Sequence, residues 1–133
     1  MPAENRDALA EVRLENAREC LADSENALSN ERYKNAATRS YYCIFHSMRA
    51  VLALDAFDSS KHSGVIAEFR HKYLKTEQFP KEFSDIIRDA FLTRNKSDYD
   101  DFYVVSKEDV KTQVENAKTF LAAVEDYIKA RRY

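Results

Sequence analysis

The feature that most constrains this chain of 133 residues is its content of one glycine and two prolines. Loops that cradle phosphates in nucleotide-binding folds need several glycines, so those fingerprints are excluded. Tight hairpins also depend on glycine-containing turns, which disfavours a sandwich of β-strands. A hydrophobic fraction of 44% still supplies one compact core. We therefore expect an all-α protein.

The apolar residues recur at helical spacing and predict an up-and-down bundle of about five helices. Helices are expected over about 4–29, 31–55, 63–74, from Pro80 to about 97, and over 107–131. Ser106 with Asp109 resembles a capping box for the last helix. We see no linker or repeat, so residues 1–133 are expected to form a single domain.

The net charge of −2 and the pI near 5.9 exclude a generally basic nucleic-acid-binding surface, while a local basic patch stays open. No stretch approaches the roughly 18 apolar residues that a membrane span requires. The first residues lack the apolar core of a signal peptide, so a cytoplasmic location is expected. Cys20 and Cys43 fall in helical patterns and are expected to be reduced packing residues.

The second predicted helix is apolar on nearly every side from Tyr41 to Leu54. Such a helix is enclosed by other helices or lies at a subunit interface, and we expect a homodimer. Its polar exceptions, Arg39, Tyr42, His46 and Arg49, form one stripe. That stripe is either a solvated edge or a basic and aromatic lining for an anionic ligand.

Two further clusters carry chemistry, and neither has the spacing of a metal site, so no metal or cofactor is expected. The first contains Lys61, His62 and Arg70, which either hold phosphates or only solubilise the surface. The second contains Arg94 and Asp98, four residues apart, for which a simple ion pair is the plainest reading.

Tyr99 follows Arg94 at a spacing of five residues. Positions five apart on a helix are separated by about 140°. Both side chains can therefore meet one ligand only if the helix ends between them, and Ser97 and Asp98 suit such an ending.

Three strings together resemble the HEPN domain family over residues 5–130: NAATRSYYCIFHSMRAVLAL, SSKHSGVIAEFRHKYLKTEQFPKEF and IIRDAFLTRNKSDYDDF. The resemblance implies a helical bundle that is usually dimeric. It also implies a toxin–antitoxin pair with a minimal nucleotidyltransferase. Many such proteins are metal-independent ribonucleases that use an arginine, followed after a short spacing by a histidine.

Arg94 matches the family's arginine, but no histidine stands among residues 95–100, and Tyr99 lies near the histidine's place. An ordinary tyrosine has a pKa of about 10 and cannot replace an imidazole as a general base. What the resemblance then implies is a protein that binds a nucleotide or RNA.

Arg94, Tyr99 and His46 are the candidate catalytic residues. The candidate ligand-binding residues are Lys61, His62, Arg70 and Asp98. Two alternatives stay open: a ribonuclease in which His46 or His62 is the base, and a dimerisation partner without a ligand.

Overall fold

The computed structural model describes residues 2–132, which form five α-helices. Their order along the chain is α1 Ala3–Ser29, α2 Tyr33–Ala53, α3 His62–Phe69, α4 Phe83–Tyr99 and α5 Lys107–Arg132. A π-helical segment, Arg70–Leu74, continues α3 without a break. The all-α bundle predicted from the sequence is confirmed.

Helix α2 lies at the centre and packs against α1, α3, α4 and α5. Its apolar residues from Tyr41 to Leu54, apart from the half-buried Tyr42, are buried within the chain. The other helices therefore cover the apolar surface that we took as the reason for a homodimer, and that reason is wrong. The homodimer itself stays a prediction.

The apolar residues that recur at helical spacing in α5 form its buried face. Its predicted seam is buried along its whole length: Val110, Val114, Ala117, Leu121, Val124 and Ile128. At its start the backbone N–H of Asp109 donates to the Ser106 hydroxyl at 3.1 Å, as expected for an N-cap.

Three turns end helical segments with a residue in the left-handed region, and none of the three is glycine. Each has the hydrogen bonds of a Schellman motif. The residues are Glu31 (φ 60°), Ala56 (φ 57°) and Glu77 (φ 60°). The single glycine, Gly64, lies instead in α3, where a Cβ would come within 2.6 Å of the Ser59 hydroxyl.

Helix α4 departs from the prediction at both ends. Pro80 lies in a turn that precedes the helix rather than in its first turn. At the other end α4 continues through Ser97 and Asp98 to Tyr99, so the helix does not end between Arg94 and Tyr99.

Both cysteines are buried and free, as predicted. Within residues 2–132, no helix combines the length and the hydropathy that crossing a membrane requires.

Candidate functional site

An open groove of about 740 Å³ lies between the start of α3 and the second half of α4. It brings together four of the residues singled out in the sequence: Lys61, His62, Arg94 and Tyr99. The remaining lining residues are Ser63, Phe91, Asn95, Lys96 and Asp100.

Arg94 is held in place mainly by aromatic rings. Its side chain is 16% exposed, and the guanidinium carbon lies 5.5–5.8 Å from the ring centres of Tyr41, Tyr42 and Tyr99. One terminal nitrogen donates to the Tyr42 hydroxyl at 3.0 Å and the other to the Asn95 side chain at 3.2 Å. Since a guanidinium has five N–H donors, these two bonds leave donors for an anion.

Asp98 is the ion-pair partner of Arg94. Its carboxylate lies 3.0 Å from the Arg94 Nε and accepts a hydrogen bond from the Thr38 hydroxyl at 3.1 Å. The Arg94 Nε is buried and has no hydrogen-bond partner among the described residues, which shows that its N–H is not aimed at the carboxylate. Asp98 therefore neutralises Arg94 and offers no donor to an anionic ligand.

Tyr99 contacts Arg94 although α4 does not end between them. The Tyr99 residue is 76% exposed, and its ring reaches back to the guanidinium. The requirement for a helix end was wrong, because two long side chains bridge an angle that their Cα positions do not. The largely exposed Tyr99 therefore lines the groove beside Arg94.

His62 forms the other wall through a contact that the sequence did not indicate. Its Nδ1 lies 2.7 Å from the hydroxyl of the fully buried Tyr41, and its ring stacks on Phe45 at 4.1 Å. Burial and the nearby charge of Arg94 lower the pKa of His62, so the ring is neutral near pH 7. Burial also raises the pKa of Tyr41, so its phenol stays protonated.

The Tyr41–His62 contact is the basis for assigning the proton to one ring nitrogen of His62. Among the described residues, His62 is the only hydrogen-bond partner of the Tyr41 hydroxyl. If Tyr41 accepted from Nδ1–H, its own buried proton would have no acceptor among the described residues, so we assign Tyr41 as the donor. In the neutral ring the proton then sits on Nε2, which becomes a donor.

His46 lies outside the groove lining, one turn beyond Tyr42 on α2, with the two ring centres 6.1 Å apart. Burial and the charges of Arg49, Arg39 and Arg13 lower the pKa of His46 to about 4. Its Nδ1 is buried without a hydrogen-bond partner among the described residues. His46 is therefore a neutral, half-buried ring near pH 7.

The polar stripe predicted on α2 is present, since all four of its residues are half-buried. Arg39 pairs with Asp23 at 3.4 Å and Arg49 with Asp58 at 3.3 Å.

Arg70 does not join the groove around Arg94. It lines a neighbouring groove between α3 and α4 and donates to the backbone carbonyl of Ser84 at 3.2 Å. The basic cluster that the sequence suggested is therefore divided between two surfaces.

Sequence reasoning missed Tyr41, Thr38 and Asn95. The signal for Asn95 was its place on one face of α4 with Phe91 and Tyr99, at steps of four residues. For Tyr41 and Thr38 there was no local signal, because their partners lie 21 and 60 residues away.

Comparison with known proteins shows which family this chain resembles. The model of the HEPN domain matches residues 10–127. A Thermotoga maritima protein named UPF0332 protein is 37% identical over 113 residues, covering 85% of this chain and 86% of the relative. A Methanocaldococcus jannaschii protein named "Putative toxin MJ0142" is 30% identical over 115 residues, covering 86% of this chain and 78% of the relative. The chain belongs to the HEPN domain family.

Proposed function

We propose that this chain is a toxin-like HEPN protein whose groove binds the phosphate of a nucleotide or of RNA through Arg94. The observation that carries the proposal is the guanidinium held against three tyrosine rings at an open groove, with unused donors. Arginine suits this task because its planar fork matches phosphate oxygens and never loses its charge.

Three other lining groups fit the same ligand, while the Asp100 carboxylate at the groove opposes an anion. Lys61 adds a second positive charge, and the Nε2–H of His62 is a donor without charge. Helix α3 starts at His62 with no side-chain cap, so its first N–H groups add to the positive potential. The exposed Tyr99 ring offers a surface on which a base can stack.

The toxin-like role rests on the family and on the two Methanocaldococcus jannaschii relatives that carry that name. As the partner we propose a minimal nucleotidyltransferase, which the family resemblance implies. The Tyr99 hydroxyl is the proposed acceptor of a nucleotidyl group, since it is strongly exposed beside Arg94. Its oxygen would bond to the α-phosphate of a nucleoside triphosphate held by that enzyme, with release of pyrophosphate and of the phenol proton. We place this pair in the cytoplasm.

Binding is favoured over cleavage by the state of His62. A general base needs an unprotonated nitrogen facing the substrate, whereas with Tyr41 assigned as the hydrogen-bond donor the proton of His62 is on Nε2. His46 lies outside the lining residues and is not placed to act there. A ribonuclease activity through His62 is the second candidate, because His62 and Arg94 do share one groove.

The test measures AMP binding by calorimetry and the binding of a short fluorescein-labelled RNA by anisotropy. We expect Arg94→Ala to weaken both at least about tenfold, which is about 1.4 kcal/mol, with a helical spectrum unchanged. The matched control is Arg18→Ala, which removes an arginine paired with Glu11 and Glu125 on another surface. Both affinities should fall as salt is raised.

Three results would decide against the proposal. Unchanged AMP and RNA affinity in Arg94→Ala would show that Arg94 does not bind the phosphate. An equal loss of affinity in Arg18→Ala would show a nonspecific charge effect. Cleavage of the RNA that disappears in His62→Ala would replace binding by the ribonuclease.

A further inference from the structure

A second groove, of about 410 Å³, lies between α4 and α5 and is here called the α4–α5 groove. Neighbouring helices of a bundle normally face each other with apolar residues. Here polar side chains line both helices at steps of four and three residues: Asp89, Thr93 and Lys96 on α4, and Asp109, Gln113 and Asn116 on α5. A polar lining where two helices meet indicates a place for a ligand rather than a packing contact.

Gln113 is the most buried polar residue of this lining, at 7% exposure, and the bundle fixes its orientation. Its Nε2 donates to the Ala37 carbonyl at 2.8 Å and to the Ser40 hydroxyl at 2.7 Å. These two bonds use both N–H groups of the amide. The Gln113 Oε1 accepts no hydrogen bond among residues 2–132. The groove therefore contains a held acceptor that is available to a ligand.

Lys96 and Asp109 line the same end of the groove, because a short loop joins the end of α4 to the start of α5. The Lys96 ammonium lies 5.8 Å from the ring centre of Tyr103 in that loop. Within the described part of the chain, neither Lys96 nor Asp109 forms an ion pair, whereas Asp89 is paired with Arg88 at 3.2 Å. Opposite charges that line one groove without pairing leave room for a ligand with donors on one side and an acceptor on the other.

We propose that the α4–α5 groove binds a guanine base of the RNA whose phosphate Arg94 holds. The inference rests on the proposed function and adds the base that the protein prefers. Guanine carries three neighbouring N–H donors, one on N1 and two on N2, beside the acceptor O6. The Asp109 carboxylate and the Gln113 Oε1, one helical turn apart on α5, supply the acceptors, and the Lys96 ammonium donates to O6.

The other bases complement these groups less well. Adenine and cytosine each place a ring nitrogen that accepts beside the amino group, so a carboxylate that meets the amino group is opposed by a lone pair. Uracil has a single N–H between two carbonyl oxygens. Guanine alone offers two adjacent donors to the Asp109 carboxylate.

The α4–α5 groove and the groove around Arg94 lie on different faces of α4, and Lys96 lines both. A strand of RNA that crosses α4 at Lys96 passes from one groove to the other. The guanine then belongs to a nucleotide near the phosphate that Arg94 holds, and not to the same nucleotide.

Short fluorescein-labelled RNAs of adenine nucleotides, with guanine, hypoxanthine or adenine at one central position, test the preference by anisotropy. We expect the guanine RNA to bind at least about fivefold more tightly than the adenine RNA, the lower end of what one paired base contact contributes. Hypoxanthine lacks the N2 amino group, so its RNA should lie between them. Arg94→Ala should weaken the guanine and adenine RNAs by the same factor, which separates failure of the phosphate site from failure of the base site.

Two variants remove the guanine preference if the groove holds the base. Asp109→Asn replaces an acceptor by a donor and leaves the backbone N–H that bonds to Ser106 in place. Its control is Glu108→Gln, the same charge change on an exposed neighbour outside the groove. Thr112→Phe fills the groove from an exposed lining position, and Thr119→Phe is the control at an exposed position outside it. Circular dichroism checks the helical content of each variant.

Guanosine, which has no phosphate, tests the groove independently of Arg94. At millimolar concentrations it should shift the side-chain amide signals of Gln113 in proton–nitrogen correlation spectra, and adenosine should not. Equal affinity for the guanine and adenine RNAs would overturn the proposal. A guanine preference that survives Asp109→Asn, or Gln113 signals that guanosine does not move, would overturn it as well.

Discussion

Two arginines of this bundle lie among tyrosines, and the difference between them separates a fold contact from a candidate binding site. Arg131 in α5 lies 2.8 Å from the Asp55 carboxylate and donates to the Tyr73 hydroxyl at 2.9 Å. Tyr73 in turn donates to the other oxygen of Asp55. Asp55 stands two residues after the end of α2, so these three side chains, here the closed centre, tie the end of α5 to the end of α2.

Arg94 has similar partners but an open arrangement. Its carboxylate partner Asp98 lies on the same helix and its side chain is 32% exposed, whereas the side chain of Asp55 is 15% exposed. Asp55 bonds to both Arg131 and Tyr73, while Arg94 faces a groove with donors unused. Arg131 therefore stabilises the fold, because it connects α5 to the end of α2 through a carboxylate that is largely shielded from solvent. Arg94 lies on aromatic rings beside a groove and keeps hydrogen-bond donors for a ligand.

The largest expected effect is on stability at the closed centre. Asp55→Ala removes the acceptor of the buried Tyr73 hydroxyl and the counter-ion of Arg131, so we expect a loss of about 2–3 kcal/mol in the free energy of unfolding. The matched change Asp98→Ala at the open site should cost less than about 1 kcal/mol, since the Asp98 carboxylate is more exposed than that of Asp55. Urea denaturation measures both. Equal losses in the free energy of unfolding would show that the ion pairs of Arg131 and Arg94 contribute equally to the fold.

The second largest expected effect is a pH dependence of the free energy of unfolding, caused by His46 on α2. The pKa of His46 is lowered from 6.5 to about 4 in the folded chain, so the unfolded chain binds more protons between these values. The contribution of His46 is therefore complete above pH 6.5 and is lost as pH falls towards 4. After allowance for its partial exposure, we expect a loss of about 2 kcal/mol between pH 7 and pH 4.

His46→Gln removes this ionisation and should flatten that part of the stability profile relative to the wild-type chain. The exposed His71→Gln is the control and should leave the profile unchanged. Tyr73 and Arg131 add nothing in this range, because the pKa values of both are raised. A profile of His46→Gln that parallels the wild type would contradict the assignment.

The smallest expected effect concerns the carboxylate beside Arg94. Asp98→Asn removes the negative charge that competes with a phosphate, and should tighten AMP binding about threefold to fivefold, the equivalent of an exposed ion pair. Asp89→Asn, which alters a carboxylate paired with Arg88, is the control. Weaker binding in Asp98→Asn would show that Asp98 contacts the ligand itself.

The sequence predicted those parts of the fold that depend on neighbours along the chain. The stripe of α5 and the Ser106 cap are local patterns, and both are present in the structure. The turns at Glu31, Ala56 and Glu77 had no such signal, because glycine is the residue that marks a left-handed helix end and none stands there. Packing of the helices on either side holds these turns in spite of a cost of roughly 1–2 kcal/mol each.

The candidate site was predictable in its parts but not in its assembly. Arg94, Tyr99, Lys61 and His62 could be named from residue chemistry and from the family resemblance. Their juxtaposition depends on contacts between distant residues, namely Tyr42 with Arg94 and Tyr41 with His62. The end of α4 was misjudged because Asp98 bonds to Thr38 and pairs with Arg94, and so does not compete for the backbone.

The contrast between the two arginines predicts that phosphate binds Arg94 and not Arg131. Proton–nitrogen correlation spectra of the arginine Nε–H groups, recorded as AMP is added, test it most directly. Arg94→Lys and Arg131→Lys identify the two signals. We predict that the Arg94 signal shifts and saturates with AMP, while the Arg131 signal stays in place. An Arg94 signal that does not move, or an Arg131 signal that moves as far, would contradict the account.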